Sequence, residues 1–180
     1  MTKTNLILLI TGLFLSLNLT AQESDSILVS NIEKTVEDID SNPNFLRLHE
    51  DGVFSKKRFL FFKRRTGSFY SNIVYADSLV LSTENVYSYF KTGKVRTEKF
   101  YFKGNKLIKY FKNLSTNQEK PAHRIIAYFN NDRLIKVEKE INDDYVFDLE
   151  KQSYIIDKAK KEIELRKMTT REWKNLFGNQ

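Results

Sequence analysis

Two histidines, three clustered aspartates and a run of cations alternating with aromatic rings are the side chains of this 180-residue sequence that could do chemistry. His49-Glu50-Asp51-Gly52 sets an imidazole beside two carboxylates, the raw material of an acid–base pair or a metal site. The second histidine of a His-Glu-x-x-His helix is missing, and Glu-Asp-Gly is ordinary turn chemistry, so the group reads as a turn. His123 follows Pro121 at the start of a strand pattern and has no partner at ligand spacing. Asp143, Asp144 and Asp148 lack the Asp-x-Asn-x-Asp-Gly rhythm of a calcium loop and read as solvated acids. Gly-x-Ser-x-Gly, a cysteine nucleophile and a phosphate-cradling glycine loop are all missing from the sequence. These residues predict a non-catalytic chain with no cofactor and no metal.

The cations form the stronger signal. Lys56-Lys57-Arg58 and Lys63-Arg64-Arg65 are followed by Lys91, Lys94, Arg96, Lys99, Lys103, Lys106, Lys109 and Lys112, interleaved with Tyr and Phe. A sheet face carrying Lys63, Arg64, Arg65, Tyr89, Arg96, Lys99 and Tyr101 could hold an anion by charge and ring stacking, and these seven are the candidate binding residues. The plainer alternative is that the charges keep strand edges soluble and unpaired.

What must position them is a sheet. Nine segments from Phe45 to Ile141 are short and rich in Phe, Tyr, Val and Ile. They are separated by turn residues at Glu50-Asp51-Gly52, Thr66-Gly67, Thr92-Gly93, Gly104-Asn105, Ser115-Thr116-Asn117 and Asn131-Asp132. Connections this short make neighbours antiparallel, hence a meander. Leu28, Ile32, Val36 and Ile39 predict an amphipathic helix over Ser24–Asp40, with Glu33, Lys34, Glu37 and Asp38 turned away from its apolar stripe. Ile156, Ala159 and Ile163 predict a second helix over Ile155–Met168, and Thr169-Thr170-Arg171-Glu172 resembles a capping box opening a last short turn. Asp143 to Ser153 fits strand or helix. The fold class is α+β, an antiparallel meander of hairpins with an N-terminal amphipathic helix and C-terminal helices.

Tyr89-Phe90 with Gly93-Lys94-Val95, Tyr101-Phe102 with Gly104-Asn105-Lys106-Leu107, and Tyr128-Phe129 with Asn131-Asp132-Arg133-Leu134 repeat one phrase: aromatic pair, turn, cation, aliphatic. With two-residue turns, Phe90 pairs with Val95, Phe102 with Leu107 and Phe129 with Leu134; one step out, Tyr101 faces Ile108 and Tyr128 faces Ile135. Val95 and Phe102 stand an odd number of residues apart, which sends them to opposite faces unless a bulge between Arg96 and Lys99 resets the alternation. Strand Lys57 to Arg65 is apolar on both sides, which favours a sheet covered on both faces, one by the helices and the other by itself or a partner.

Over about twenty residues, Tyr89-Phe90, Gly93-Lys94-Val95, Glu98, Tyr101 and Gly104 follow the spacing of MORN-like repeats, in the variant found in bacterial proteins including antitoxin-type components. The resemblance implies antiparallel hairpins and carries no catalytic residue. The wider layout is similar to small exported Bacteroidota proteins without assigned activity.

Residues 1–21, one cation followed by an apolar run and Thr-Ala-Gln, have the layout of a secretory signal peptide cleaved after Ala21, leaving 22–180 as a single domain in the periplasm or secreted. The leader takes only Lys3 with it, so 29 cations face 23 acids in the mature chain, a net +6, and no transmembrane span remains. An exported domain without cysteine must draw its stability from packing. The partner expected is an anionic envelope component, lipid head groups or an acidic glycan, or else a protein; nucleic acid fits less well outside the cytoplasm. Together these features predict an exported, non-catalytic binding or accessory domain of the cell envelope. Two other classes stand beside it, an antitoxin- or immunity-like interaction module and a hydrolase whose carboxylates the fold would have to bring together.

Overall fold

A computed structural model describes residues 24–59, 62–116, 121–141 and 149–167. A helix over 24–41, α1, precedes seven strands: β1 (Leu46–Phe59), β2 (Phe62–Ala76), β3 (Leu79–Tyr89), β4 (Lys94–Lys103), β5 (Lys106–Thr116), β6 (Pro121–Asn130) and β7 (Arg133–Ile141). Helix α2 (Leu149–Arg166) follows. The strands form one sheet in the order β1 to β7, every pair antiparallel, as the short connections require.

Both faces of the sheet are covered, and each takes one helix. Alternation along β4 sends Phe100 and Phe102 into a core with Ile73, Tyr75, Leu107, Tyr110, Phe129 and, from α2, Ile155 and Ala159. It sends Tyr101 the other way, into a core with Val74, Ile108, Tyr128 and Ile32, Val36 and Ile39 of α1. The expectation that both helices share a face is therefore corrected. The reason is on the strands: both sets of alternating positions are apolar, and one helix cannot shield two faces.

The repeated phrase is real but differently spaced. Its equivalent units are Tyr75-Ala76-Asp77-Ser78-Leu79-Val80-Leu81, then residues 102–108 and 129–135, each starting 27 residues after the last. In each, an aromatic residue pairs across the turn with an aliphatic one: Tyr75 with Val80, Phe102 with Leu107, Phe129 with Leu134. The two later turns hold both central residues at positive φ, Gly104 and Asn105 at 57° and 61°, Asn131 and Asp132 at 51° and 64°. This is the turn whose twist suits a two-residue hairpin, and Asn, Asp and Gly tolerate it best.

Immediately after each aliphatic residue the register slips by one, leaving Leu81, Ile108 and Ile135 as extra residues opposite a single partner position. All three extra side chains pack in the α1-side core. The slip also corrects two pairings: Tyr101 faces Lys109 and Tyr128 faces Lys136, not the isoleucines. Tyr89-Phe90 is no copy of the phrase. It leads into a four-residue connection, residues 90–93, at the opposite end of the sheet, so Val95 pairs with Ser88 and Arg96 with Tyr87. The β3–β4 register runs without a slip, so no bulge lies between Arg96 and Lys99.

Two expected turns are continuous strand. β1 runs through Glu50-Asp51-Gly52 and β2 through Thr66-Gly67, while the segment Lys57 to Arg65, expected as one strand, is divided between β1 and β2 with Phe59 opposite Phe62, and the segments at 78–82 and 85–91 merge as β3, so nine short segments become seven longer strands. Both glycines serve close approach. A Cβ on Gly52 would meet the Phe69 ring at 2.4 Å, and one on Gly67 would meet the backbone oxygen of Ser88 at 2.3 Å. Helix α2 begins before the expected Ile155, which assigns residues 149–153 to helix. The signal peptide, the Asp143, Asp144 and Asp148 group, the side chains of residues 57–62 and the capping box at Thr169 lie outside the described residues.

Candidate binding surface

The seven candidate residues do not share one face. Lys99 and Tyr101 lie on the α1 side, where one carboxylate receives both: Lys99 Nζ donates to Asp40 Oδ1 at 2.9 Å and the Tyr101 hydroxyl to Asp40 Oδ2 at 2.7 Å. Lys109 likewise donates to both oxygens of Glu33 at 2.7 and 2.8 Å, and Arg133 pairs with Asp25 at 3.2 Å. Thus Asp25, Glu33 and Asp40, about two turns apart on α1, are each met by a cation from the sheet. Glu33 faces the sheet, contrary to the outward orientation expected for it. Arg47 from β1 donates to the carbonyls of Ile39 and Asp40 at 3.0 and 2.8 Å, satisfying the C-terminal end of α1. Burial and the hydrogen bond to Asp40 push the Tyr101 hydroxyl well above its ordinary range, so it stays a donor at every physiological pH.

Arg96 lies on the opposite face. Register builds a polar row across the sheet there, Glu50, Ser71, Asn85, Glu98 and Lys112 on successive strands. Helix α2 answers it with Lys158, Glu162 and Arg166, three positions four residues apart on one side. Glu98 is the hub, with only 4% of its side chain exposed. It accepts from Lys158 Nζ at 2.5 Å and from the Tyr110 hydroxyl at 3.0 Å, and Arg96 Nε stands 3.5 Å away. The Arg96 guanidinium also lies 4.5 Å above the centre of the Tyr87 ring. Ser71 donates to Asn85 at 2.7 Å, Arg166 pairs with Glu50, and the Tyr75 hydroxyl donates to the Arg166 carbonyl at 3.0 Å, closing the end of α2.

Burial alone would raise the Glu98 carboxyl, but the hydrogen bond and charge of Lys158, with Arg96 and Tyr110, hold it below the ordinary carboxylate range. Glu33 is lowered on the same balance, burial opposed by Lys109 and Tyr128. A depressed carboxyl stabilises the fold above its unfolded value and loses that contribution as pH falls through the folded one. The thermal midpoint is therefore expected to hold down to about pH 5 and to fall steeply below about pH 4, with Glu98→Gln blunting the fall. Melting curves against pH check this.

Neither network has the form of a catalytic centre. A cavity of about 340 Å³ beside α2 is lined by Ser78, Leu79, Val80, Asn105, Lys160, Ile163, Glu164 and Lys167; among the described residues it holds a single carboxylate, and Ser78 has no hydrogen bond to either lysine. His49, placed in a strand and not a turn, lines a cavity of about 120 Å³ with Arg47, Asn72, Glu84 and Lys99, little more than a few waters' volume. Among the described residues no group of three His, Cys, Asp or Glu could hold a metal ion.

Lys63, Arg64 and Arg65 have a different setting. They stand exposed on β2 where β1 and β2 outrun the rest of the sheet, since β3 reaches only as far as Gly67. The two-stranded arm beyond that point, with Ser55 opposite Arg65 and Lys56 opposite Arg64, extends about 15 Å at 3.3 Å per residue. At its root the connection 90–93 is tied to β2 by Phe90 N–H to the Thr66 carbonyl, 3.1 Å, next to Arg65. Phe90 is 57% exposed, Lys91 is exposed in the same connection and Lys94 just after it. Tyr89, half-buried, pairs with Lys94 at this same end. The seven candidates include the three arm cations and Tyr89 but not Phe90, Lys91 and Lys94, although both lysines stand in the wider run of cations.

The chain matches no family model, no curated protein and no solved structure. No helix among the described residues is long and apolar enough to cross a membrane.

Proposed function

We propose that this chain is an exported, non-catalytic binding domain of the cell envelope, and that the end of the sheet carrying the β1–β2 arm engages a polyanion. One observation carries the reading: the charge is segregated. Residues 53–70 and 86–97 hold nine cations and no acid, while the rest of the 180 residues hold 21 cations against 23 acids. Lys99, Lys109 and Arg133 are matched to acids of α1, and Arg96 and Lys158 to Glu98; among the described residues Lys63, Arg64 and Arg65 have no ion pair. Like charges gathered on a projecting arm repel one another and destabilise the fold slightly, so their concentration fits a surface that meets an opposite charge.

The MORN-like resemblance fits the same picture at the level of hairpins alone, since the 27-residue unit places its turns at the end opposite the arm. The expected result is salt-sensitive retention. The 22–180 protein binds dextran sulfate or phosphatidylglycerol vesicles at low ionic strength and loses most of that binding at physiological salt, where exposed charges are screened beyond about 8 Å. Co-sedimentation and gel-shift titrations measure it. A domain that ignores both polyanions at low salt has its cations for solubility, and the reading falls.

A further inference from the structure

We propose that the small cavity beside the C-terminal end of α1 takes an uncharged saccharide, holding two neighbouring hydroxyls of one sugar ring while the face of that ring lies against Tyr70. The site is separate from the polyanion-binding end of the sheet and does not rest on it. Its residues come from two rows that the strand register lays across the α1 side: His49, Asn72, Glu84 and Lys99 on β1 to β4, and Arg47, Val74, Ser82 and Tyr101 beside them. Polar side chains of both rows line the cavity of about 120 Å³, which has room for about four waters. Glu84 and Lys99 stand directly opposite each other on neighbouring strands, yet among the described residues no ion pair joins them. Lys99 turns to Asp40 at 2.9 Å, and Glu84 accepts from Asn72 Nδ2 at 3.1 Å. A carboxylate with lone pairs to spare and an ammonium with N–H groups to spare therefore border one small polar space. Arg47 meets the carbonyls of Ile39 and Asp40 through a single nitrogen and has further donors to offer.

Charge selects the ligand class. An anion in this space would stand against Glu84, and a cation against Arg47 and Lys99. A hydroxyl donates and accepts at once, so an adjacent pair of them answers the carboxylate and the cations together. Tyr70 narrows the class further. It precedes Asn72 by two residues on the same face of β2, is 38% exposed, and its hydroxyl meets the Asn72 amide, so the ring lies along the strand beside the cavity. An exposed ring next to hydroxyl-sized polar space suits a pyranose, which has an apolar C–H face and a polar edge; a flexible polyol has the hydroxyls without the face.

Amide NMR shifts of the 22–180 chain test the proposal as methyl α-glucopyranoside, methyl α-mannopyranoside, methyl α-galactopyranoside and N-acetylglucosamine are each added to about 50 mM, enough to fill a site of millimolar Kd. At least one of them is expected to move the amides of Arg47, His49, Asn72, Glu84 and Lys99 along a saturating curve. The curve should be the same at low and physiological salt, because an uncharged ligand is not screened. Glu84→Gln and Tyr70→Ala, each checked for an unchanged melting curve, should each weaken binding about tenfold. The parent's shift map decides the question even where a variant fails to fold. No saturating shift with any of these sugars, shifts confined to residues away from the cavity, or full affinity in either folded variant would overturn the proposal. Failure to bind dextran sulfate would sink the polyanion reading and leave this one standing.

Discussion

Phe129→Ala is expected to lower the unfolding free energy by ~3–5 kcal/mol, and Phe102→Ala by a similar amount. Phe129 is 0% exposed and Phe102 1% exposed, both in the core beneath α2, where the rings sit beside Leu107, Leu134 and Tyr110. The cost has two parts, the lost transfer of the ring from water and a cavity that the flanking strands, locked in a seven-stranded register, cannot close. Because the two residues are equivalent members of the 27-residue unit, their losses should agree more closely with each other than with a loss at Phe54, on the exposed arm side. Denaturant unfolding gives the numbers, and an unchanged slope would show that only stability has moved. Losses under about 1 kcal/mol at both positions would mean that the rings face water and that the alternation described here is wrong.

Glu98→Ala is expected to cost about 3–5 kcal/mol, well beyond the contact it removes. Lys158 and Arg96 would be left beside each other without the carboxylate between them, and the Tyr110 hydroxyl would lose its acceptor inside the core. Replacing both ends of the pair, as Glu98→Met with Lys158→Met, should be markedly milder, since an apolar pair of similar volume leaves less behind to be desolvated. The double-mutant cycle separates the two contributions. A single Glu98→Ala variant as stable as the parent would show that Glu98 is solvated and that α2 does not dock through it.

Some of this was legible in the sequence. The type and order of the elements, the antiparallel meander and the pairings Phe102 with Leu107 and Phe129 with Leu134 followed from periodicity and turn residues, because both signals are local. Two covered faces were expected from Lys57 to Arg65 read as one strand, but that segment is divided between β1 and β2; the two cores are built instead from alternate residues such as Phe100 and Tyr101 on β4. The slips at Leu81, Ile108 and Ile135 were not legible: a bulge adds a residue without altering the apolar pattern around it. Nor were Gly52 and Gly67, which look like turn residues until Phe69 and Ser88 are placed against them across the sheet.

The candidate site failed in sequence for a related reason. Cations on one strand look alike, but Lys99 and Arg96 point to opposite faces, and their partners Asp40 and Glu98 are read only once α1 and α2 are docked. Glu98 did leave a trace, as the only acid between Glu84 and Glu119 in a cation-rich stretch. A single carboxylate among so many positive charges marks a place where charge must be balanced internally.

The cations fall into two sets, one paired with helix acids or Glu98 and one proposed to meet a polyanion. Polyanion binding and unfolding measured side by side on two variants test that division most directly. For Lys63→Ser/Arg64→Ser/Arg65→Ser, dextran sulfate and anionic vesicle binding should disappear while the unfolding free energy stays within about 0.5 kcal/mol of the parent. For Lys99→Met/Lys109→Met, binding should persist while stability drops by about 1 kcal/mol, the docking of α1 being loosened. Binding lost in the second variant and retained in the first would contradict the account.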